Sequence, residues 1–207
     1  MKLTRHIHAC VRIEEGATTL IVDPGTFGVP PDLAAADAVL LTHGHPDHVD
    51  VAELAAAREQ NPQLAVYAPA SVAETVAAAR VVAAGDRLRI GEIEVEVVGT
   101  EHAAVLRCQP TAENVGYLFN ATLLHPGDAF QEVALIDTAL VPVNGPWVKM
   151  LDVEAWLDRQ RPRRFVAIHD GIVNDFGLAI NDKQLRILAE NYGAEYVPLS
   201  PGQSLDL

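Results

Sequence analysis

Three imidazoles and a carboxylate fall within six consecutive residues of this chain, His43-Gly44-His45-Pro46-Asp47-His48. The segment follows the apolar run Ala38-Val39-Leu40-Leu41-Thr42 and precedes Asp50-Val51-Ala52-Glu53, a helix-capping pattern. It therefore sits in a loop that leads from a strand into a helix. Imidazole nitrogen and carboxylate oxygen together suit zinc, and also manganese or iron. His43, His45 and Asp47 alternate along the chain, so an extended stretch turns them to one side while His48 points elsewhere. That arrangement fits two ions better than one. The competing reading is a set of unrelated loop histidines. It is the weaker one, because the whole chain has only eight histidines and three of them lie here beside an aspartate.

The rest of the chain must supply a scaffold for that loop. With 207 residues, 49% hydrophobic and 21% charged, it is expected to form a single domain over residues 1–207 with its own core. The first residues lack the apolar stretch of a signal peptide, and no run reaches the roughly 18 apolar residues of a membrane span. A cytoplasmic protein without membrane contact is the expectation. Cys10 and Cys108 show no metal or disulfide spacing. The net charge of −13 opposes the phosphate attraction behind most nucleic-acid binding, so a small-molecule substrate is expected rather than RNA or DNA. Oligomeric state has no signature in the sequence.

Periodicity supplies the elements. Ala9–Ile13 and Thr18–Val22 are predicted as strands joined by a hairpin, the second ending in Asp23-Pro24-Gly25. Ser71-Val72-Ala73-Glu74 repeats the capping pattern ahead of a predicted Ala-rich helix around Ala77. Glu92–Val97 alternates charge with apolar residues, as a strand with one wet face does. Val115–Phe119 and Ala121–Leu124 flank Asn120 as a hairpin, and Thr138–Val143 and Phe165–Ile168 are further apolar runs of strand length. Helices are predicted from Asp152 to Arg161, stopped by Pro162, and from Asn181 or Asp182 to Tyr192, stopped by Gly193, before a last strand near Glu195–Pro198. Strands and helices are mixed throughout, an α/β (α+β) pattern with helices outside the sheets.

The segment His43–His48 matches the HxHxDH signature of the metallo-β-lactamase superfamily, and the resemblance continues along nearly the full chain. Asp23 resembles that family's early strand-end aspartate. His102, 59 residues after His43, resembles its next ligand. Gly127-Asp128 resembles its bridging carboxylate and Ile168-His169 its last histidine. Small proteins similar to L-ascorbate-6-phosphate lactonase are the nearest branch. The resemblance implies a four-layer αβ/βα sandwich with two divalent ions at one edge of its sheets. One ion would take His43, His45 and His102; the other would take Asp47, His48 and His169, with Asp128 between them.

Two such ions about 3.5–4 Å apart would activate a bridging hydroxide and polarise a carbonyl or phosphoryl oxygen, with Asp47 orienting the nucleophile or accepting its proton. The implied activity is hydrolysis of a lactone, ester, amide or phosphodiester. A metal-dependent nuclease or phosphodiesterase, and a non-catalytic metal-binding scaffold, are the alternatives. None of the serines, at positions 71, 200 and 204, lies in a G-x-S-x-G elbow. Asp50 and Asp170, beside the ligands, could orient imidazoles or, for Asp50, cap a helix. His6 and His8 are read as alternating on an N-terminal strand, with His8 structural. His125 is read as a hydrogen-bonded structural histidine, Asp23 as a brace for the ligand loop, and Asn144–Lys149 as a turn carrying a core Trp147.

Overall fold

In the computed structural model, which describes residues 1–207, fourteen strands form two sheets of seven. The first contains β1 (Lys2–Arg5), β2 (Val11–Glu15), β3 (Thr18–Val22), β4 (Ala38–Leu40), β5 (Ala65–Ala68) and β6 (Arg80–Val81) in sequence order, with β14 (Ser204–Asp206) added outside β1. The second runs β13 (Glu195–Tyr196), β12 (Arg164–Ile168), β11 (Thr138–Pro142), β10 (Leu123–His125), β9 (Gly116–Phe119), β8 (Ile93–Val98) and β7 (Arg87–Ile90). The helices are α1 (Val51–Gln60), the single turn α2 (Ala70–Ala73), α3 (Met150–Gln160) and α4 (Asp175–Tyr192). No helix is long and apolar enough to cross a membrane.

The layering follows from side-chain alternation on strands that are apolar on both faces. On β3, Leu20 and Val22 enter the core between the sheets while Ile21 faces the α1 side with Leu54 and Ala57. On β4, Ala38 and Leu40 point inward and Val39 outward. The second sheet repeats the pattern: Leu140 and Val166 join the inter-sheet core, whereas Ala139, Val141 and Phe165 pack under Trp156, Leu157, Leu185 and Leu188 of α3 and α4. Helix, sheet, sheet and helix thus make the four expected layers. Each fully buried Leu, Ile or Phe contributes about 1.5–3 kcal/mol. Tyr117 ties the sheets together, donating its hydroxyl to the Leu41 carbonyl at 2.7 Å.

Three local expectations are corrected. The segment after Ser71 is a single helical turn: Thr75 bonds back to the Val72 carbonyl and Ala78 turns left-handed at φ 56°, which delivers the chain into β6. Helix α4 begins well before Asn181, because Asn174 accepts the Gly177 N–H at 3.0 Å and caps it there. His6 and His8 lie in the turn after β1 rather than on a strand, and His8 has φ 60°. The Asn120–Ala121 hairpin matches its prediction, with both residues left-handed at φ 47° and 51°, as a two-residue mirror-image turn requires.

Candidate metal centre

Strands of both sheets end at one edge. Asp23 follows β3, and Thr42 to His48 follow β4. His102 follows β8, Asp128 follows β10 and His169 follows β12. The loops interlock there: Val115 donates its N–H to the Thr42 carbonyl, and His169 donates its N–H to the His8 carbonyl at 3.0 Å. Gly25 lets the 24–28 loop lie against the ligand loop; a Cβ on it would stand 1.9 Å from the Asp47 carbonyl oxygen. Asp23, His8 and His169 all hold left-handed backbone, at φ 49°, 60° and 62°. Strain of this kind persists only where surrounding structure enforces it.

All seven histidines and aspartates singled out as candidate ligands converge. They form two groups whose ligand-type atoms lie within 4.8 Å of one another: His43, His45, His102 and Asp128; and Asp47, His48 and His169, joined by His8. Asp128 faces both. Its Oδ2 lies 3.3 Å from His102 Nε2, 3.8 Å from His43 Nε2 and 3.0 Å from His169 Nε2, and its Oδ1 lies 3.1 Å from His48 Nε2. Asp47 Oδ2 lies 3.6 Å from His169 Nε2 and 3.8 Å from His48 Nε2. His45 turns its Nδ1 to within 2.9 Å of His43 Nε2.

The outer partners set which nitrogen faces inward. Thr42 donates its hydroxyl to Asp23 Oδ2 at 2.7 Å, so its oxygen accepts from His43 Nδ1 at 3.0 Å. Asp23 Oδ2 also accepts from His48 Nδ1 at 2.8 Å. His102 Nδ1 donates to the Ala103 carbonyl and His169 Nδ1 to the Asn144 carbonyl. A neutral imidazole that donates through Nδ1 presents a lone pair at Nε2. Four rings therefore turn Nε2 toward Asp128, a nitrogen that offers a lone pair whenever the ring is neutral.

These inward atoms lack partners. His48 Nε2, His102 Nε2, His169 Nε2 and Asp128 Oδ1 are buried without a hydrogen bond, in a class of atoms that proteins almost always satisfy. Their chemistry and convergence fit divalent cations. Protonation agrees. Burial disfavours charge on His48, but Asp128 and Asp23 outweigh it and raise its pKa well above the ordinary value. Burial likewise opposes charge on His169, but Asp128 and Asp47 raise its pKa to about 9. Burial also opposes ionisation of Asp47 and Asp128; the imidazoles of His169 and His8 beside the first, and of His48, His102 and His169 around the second, nonetheless hold both carboxyls low. His43 and His45 are lowered, chiefly by burial, and stay neutral.

Among the neighbouring residues, Asp23 braces the loop, also accepting the Thr42 N–H at 2.8 Å. His125 is structural, bonded to the Ala9 carbonyl at 2.8 Å and accepting from Gly127 N–H. Asp50 caps α1 through Ala52 and Glu53. Asp170 orients no imidazole: it pairs with the buried Arg5. Trp147 is buried, with its ring centroid 5.5 Å from that of His102 and 5.7 Å from that of His169. Sequence reasoning missed Asn114, which accepts the Asp128 N–H at 2.9 Å, and the contact of His8 with Asp47; both depend on chain segments far apart in sequence.

Comparison with known proteins agrees with the architecture. Protein Rv0786c of Mycobacterium tuberculosis is 38% identical over 84% of this chain and 85% of its own length. A UPF0173 metal-dependent hydrolase of Pyrococcus furiosus is 25% identical across the whole of both chains. The metallo-beta-lactamase fold protein YhfI from Bacillus subtilis superposes with a TM-score of 0.73 at 16% identity, covering 99% of this chain and 98% of that one. The family model for the beta-lactamase superfamily domain matches residues 2–169, a span that takes in every strand end described above, and the chain belongs to that superfamily in its metallo-β-lactamase fold.

Proposed function

We propose that this chain is a metal-dependent hydrolase of a small-molecule substrate, working with two divalent ions. The observation that carries the reading is the set of buried, unpartnered ligand atoms around Asp128. His43, His45 and His102 would hold one ion, Asp47, His48 and His169 the other, and Asp128 would serve both. Zinc fits this donor set, with manganese or iron also suited. When bound, the ions activate water and polarise the oxygen of the bond being cleaved. The name of the Pyrococcus relative, a metal-dependent hydrolase, supports the same activity.

The chain's own residues divide the remaining work. Asp47 is half-buried and held ionised, so its carboxylate can orient an attacking water by accepting a hydrogen bond. His45 is exposed, unlike the other members of its group, so substrate approaches on its side. A pocket of about 120 Å³ opens there, bounded by His45 and His102 and lined by Ala103, Val105, Leu106 and Gln109 among others. Its size and its lack of charged side chains support a small, uncharged group as occupant. Grooves of about 440 and 420 Å³ lie on the β7–β8 hairpin and beside α1, away from the ligands, and one of about 340 Å³, lined by Ala103, Phe130, Trp147, Asp152 and Arg159 among others, borders the site on the Trp147 side.

The test is metal stoichiometry combined with a substrate panel. The purified protein should bind about two equivalents of zinc or manganese, and the loaded form should hydrolyse at least one of a lactone, an ester, an amide and a phosphodiester. His45→Ala should lower both metal content and rate. Undiminished turnover after complete metal removal, or none by the fully loaded protein across the panel, would overturn the proposal.

A further inference from the structure

His8 stands among Asp47, His48 and His169 at ligand-like distances, yet its surroundings differ in polarity from those of its neighbours. His43, His48, His102 and His169 each turn Nδ1 to an acceptor. His8 Nδ1 instead faces a donor, the Gly171 N–H at 3.0 Å. A nitrogen that accepts carries no proton, so the neutral His8 ring holds its single proton on Nε2. That nitrogen lies 3.0 Å from Asp47 Oδ2. Metal ligation through Nε2 would require the proton to move to Nδ1, where it would meet the Gly171 N–H head-on.

The placement is enforced from several directions. The ring is 1% exposed, packed with its centroid 3.9 Å from that of His169 and 4.9 Å from that of Phe27. The His8 carbonyl accepts the His169 N–H. Gly171 permits the close approach: a Cβ there would stand 3.0 Å from His8 Nδ1 and 3.1 Å from Phe27 Cδ2.

We propose that His8 is a positioning residue: it donates Nε2–H to Asp47, fixes the direction of that carboxylate, and is not itself a metal ligand. Its effect on metal binding rests on the proposed ligation by Asp47; the hydrogen bond and the tautomer do not. Outer partners of ligating carboxylates typically change metal affinity about 10–100-fold when removed. Zinc titration with a competing chelator should therefore show that His8→Phe, which keeps a ring but no donor, weakens the second equivalent about 10–100-fold and leaves the first unchanged. His8→Gln, whose amide can still donate to Asp47, should recover much of that loss. In ¹⁵N-labelled wild-type protein, His8 should show a protonated Nε2 and a bare Nδ1 both without metal and when zinc-loaded. Equal second-site affinity in wild type and His8→Phe, or loss of the Nε2 proton on loading, would overturn the proposal. Should wild type take up fewer than two equivalents, the two-ion reading falls, while the tautomer measurement still decides the role of His8.

Discussion

Replacing Asp23 with asparagine keeps the side-chain shape and removes a charge and one acceptor. Asp23 is fully buried and accepts from the Thr42 N–H, the Thr42 hydroxyl and His48 Nδ1 at 2.8, 2.7 and 2.8 Å. In the variant the amide oxygen can take the Thr42 N–H, but the NH2 group then faces His48 Nδ1–H. Thr42 can rotate to accept; His48 cannot. If the His48 ring keeps its proton on Nδ1, a charge-assisted hydrogen bond worth about 1.5–3 kcal/mol is lost and a buried donor is left bare. The metal-free protein should then be less stable by about 3 kcal/mol. If the ring instead gives up its Nδ1 proton and keeps the one on Nε2, that proton blocks the nitrogen aimed at Asp128, and the second equivalent of metal should bind about 10–100-fold more weakly. Backbone strain is not a confounder, because asparagine tolerates the φ of 49° as aspartate does. Urea unfolding of the metal-free variant and a zinc titration read the two branches. A variant within about 0.5 kcal/mol of the parent and with both metal affinities unchanged would refute the assignment of Asp23 as the brace of His48.

Asp128→Asn should weaken both equivalents together, since Asp128 faces both groups, and metal analysis after dialysis reads this directly. Gly25→Ala should destabilise by about 3 kcal/mol or more, measured by thermal or urea unfolding, because its Cβ would collide with backbone at Asp47 rather than with a side chain that can move. His169 is raised to about 9, so its contribution to metal-free stability should be complete below about pH 6.5 and lost as pH rises through about 9, visible as a falling Tm over that window. Metal must displace the same proton: calorimetry in buffers of different ionisation enthalpy should find proton release near pH 7.5, with affinity rising until about pH 9.

The inner framework was legible because it obeys simple periods. β3, β4, β11 and β12 are short and apolar on both faces, and each showed as an uninterrupted run. β1, β5, β7 and β14 escaped because they are peripheral or mixed in polarity; β14 is moreover placed by a partner at the far end of the chain, as Lys2–Asp206 shows, whereas β1 and β7 also pair locally with β2 and β8. The α4 start was misplaced because Asn181 and Asp182 look like caps, although Asn174 caps first. At the site, the candidate ligands came from one dense segment and, through the family resemblance, from three later residues, while the other contacts around them were not legible. His8 is 39 positions from Asp47, and nothing in its local sequence separates it from His6, which contacts none of the ligand groups. Asp170 illustrates the converse: adjacency to His169 suggested an orienting role, yet Arg5, brought in by β1, takes its carboxylate.

Charge supports the two-ion proposal. Asp23, Asp47 and Asp128 face the imidazoles, and Asp23 and Asp128 are almost fully buried. Uncompensated carboxylates in such surroundings cost several kcal/mol each, so the metal-free chain draws protons onto His48 and His169. Those protons sit on the nitrogens that the two ions would occupy, and they balance only part of the three negative charges. Two divalent ions would bring four positive charges instead, enough to offset the three carboxylates. Such ions would also offset the negative charge that builds on an oxygen when water adds to a carbonyl or phosphoryl group. The overall −13 of the chain is no obstacle at this distance, because exposed charges beyond about 8–10 Å are screened by salt while those in the buried pocket are not.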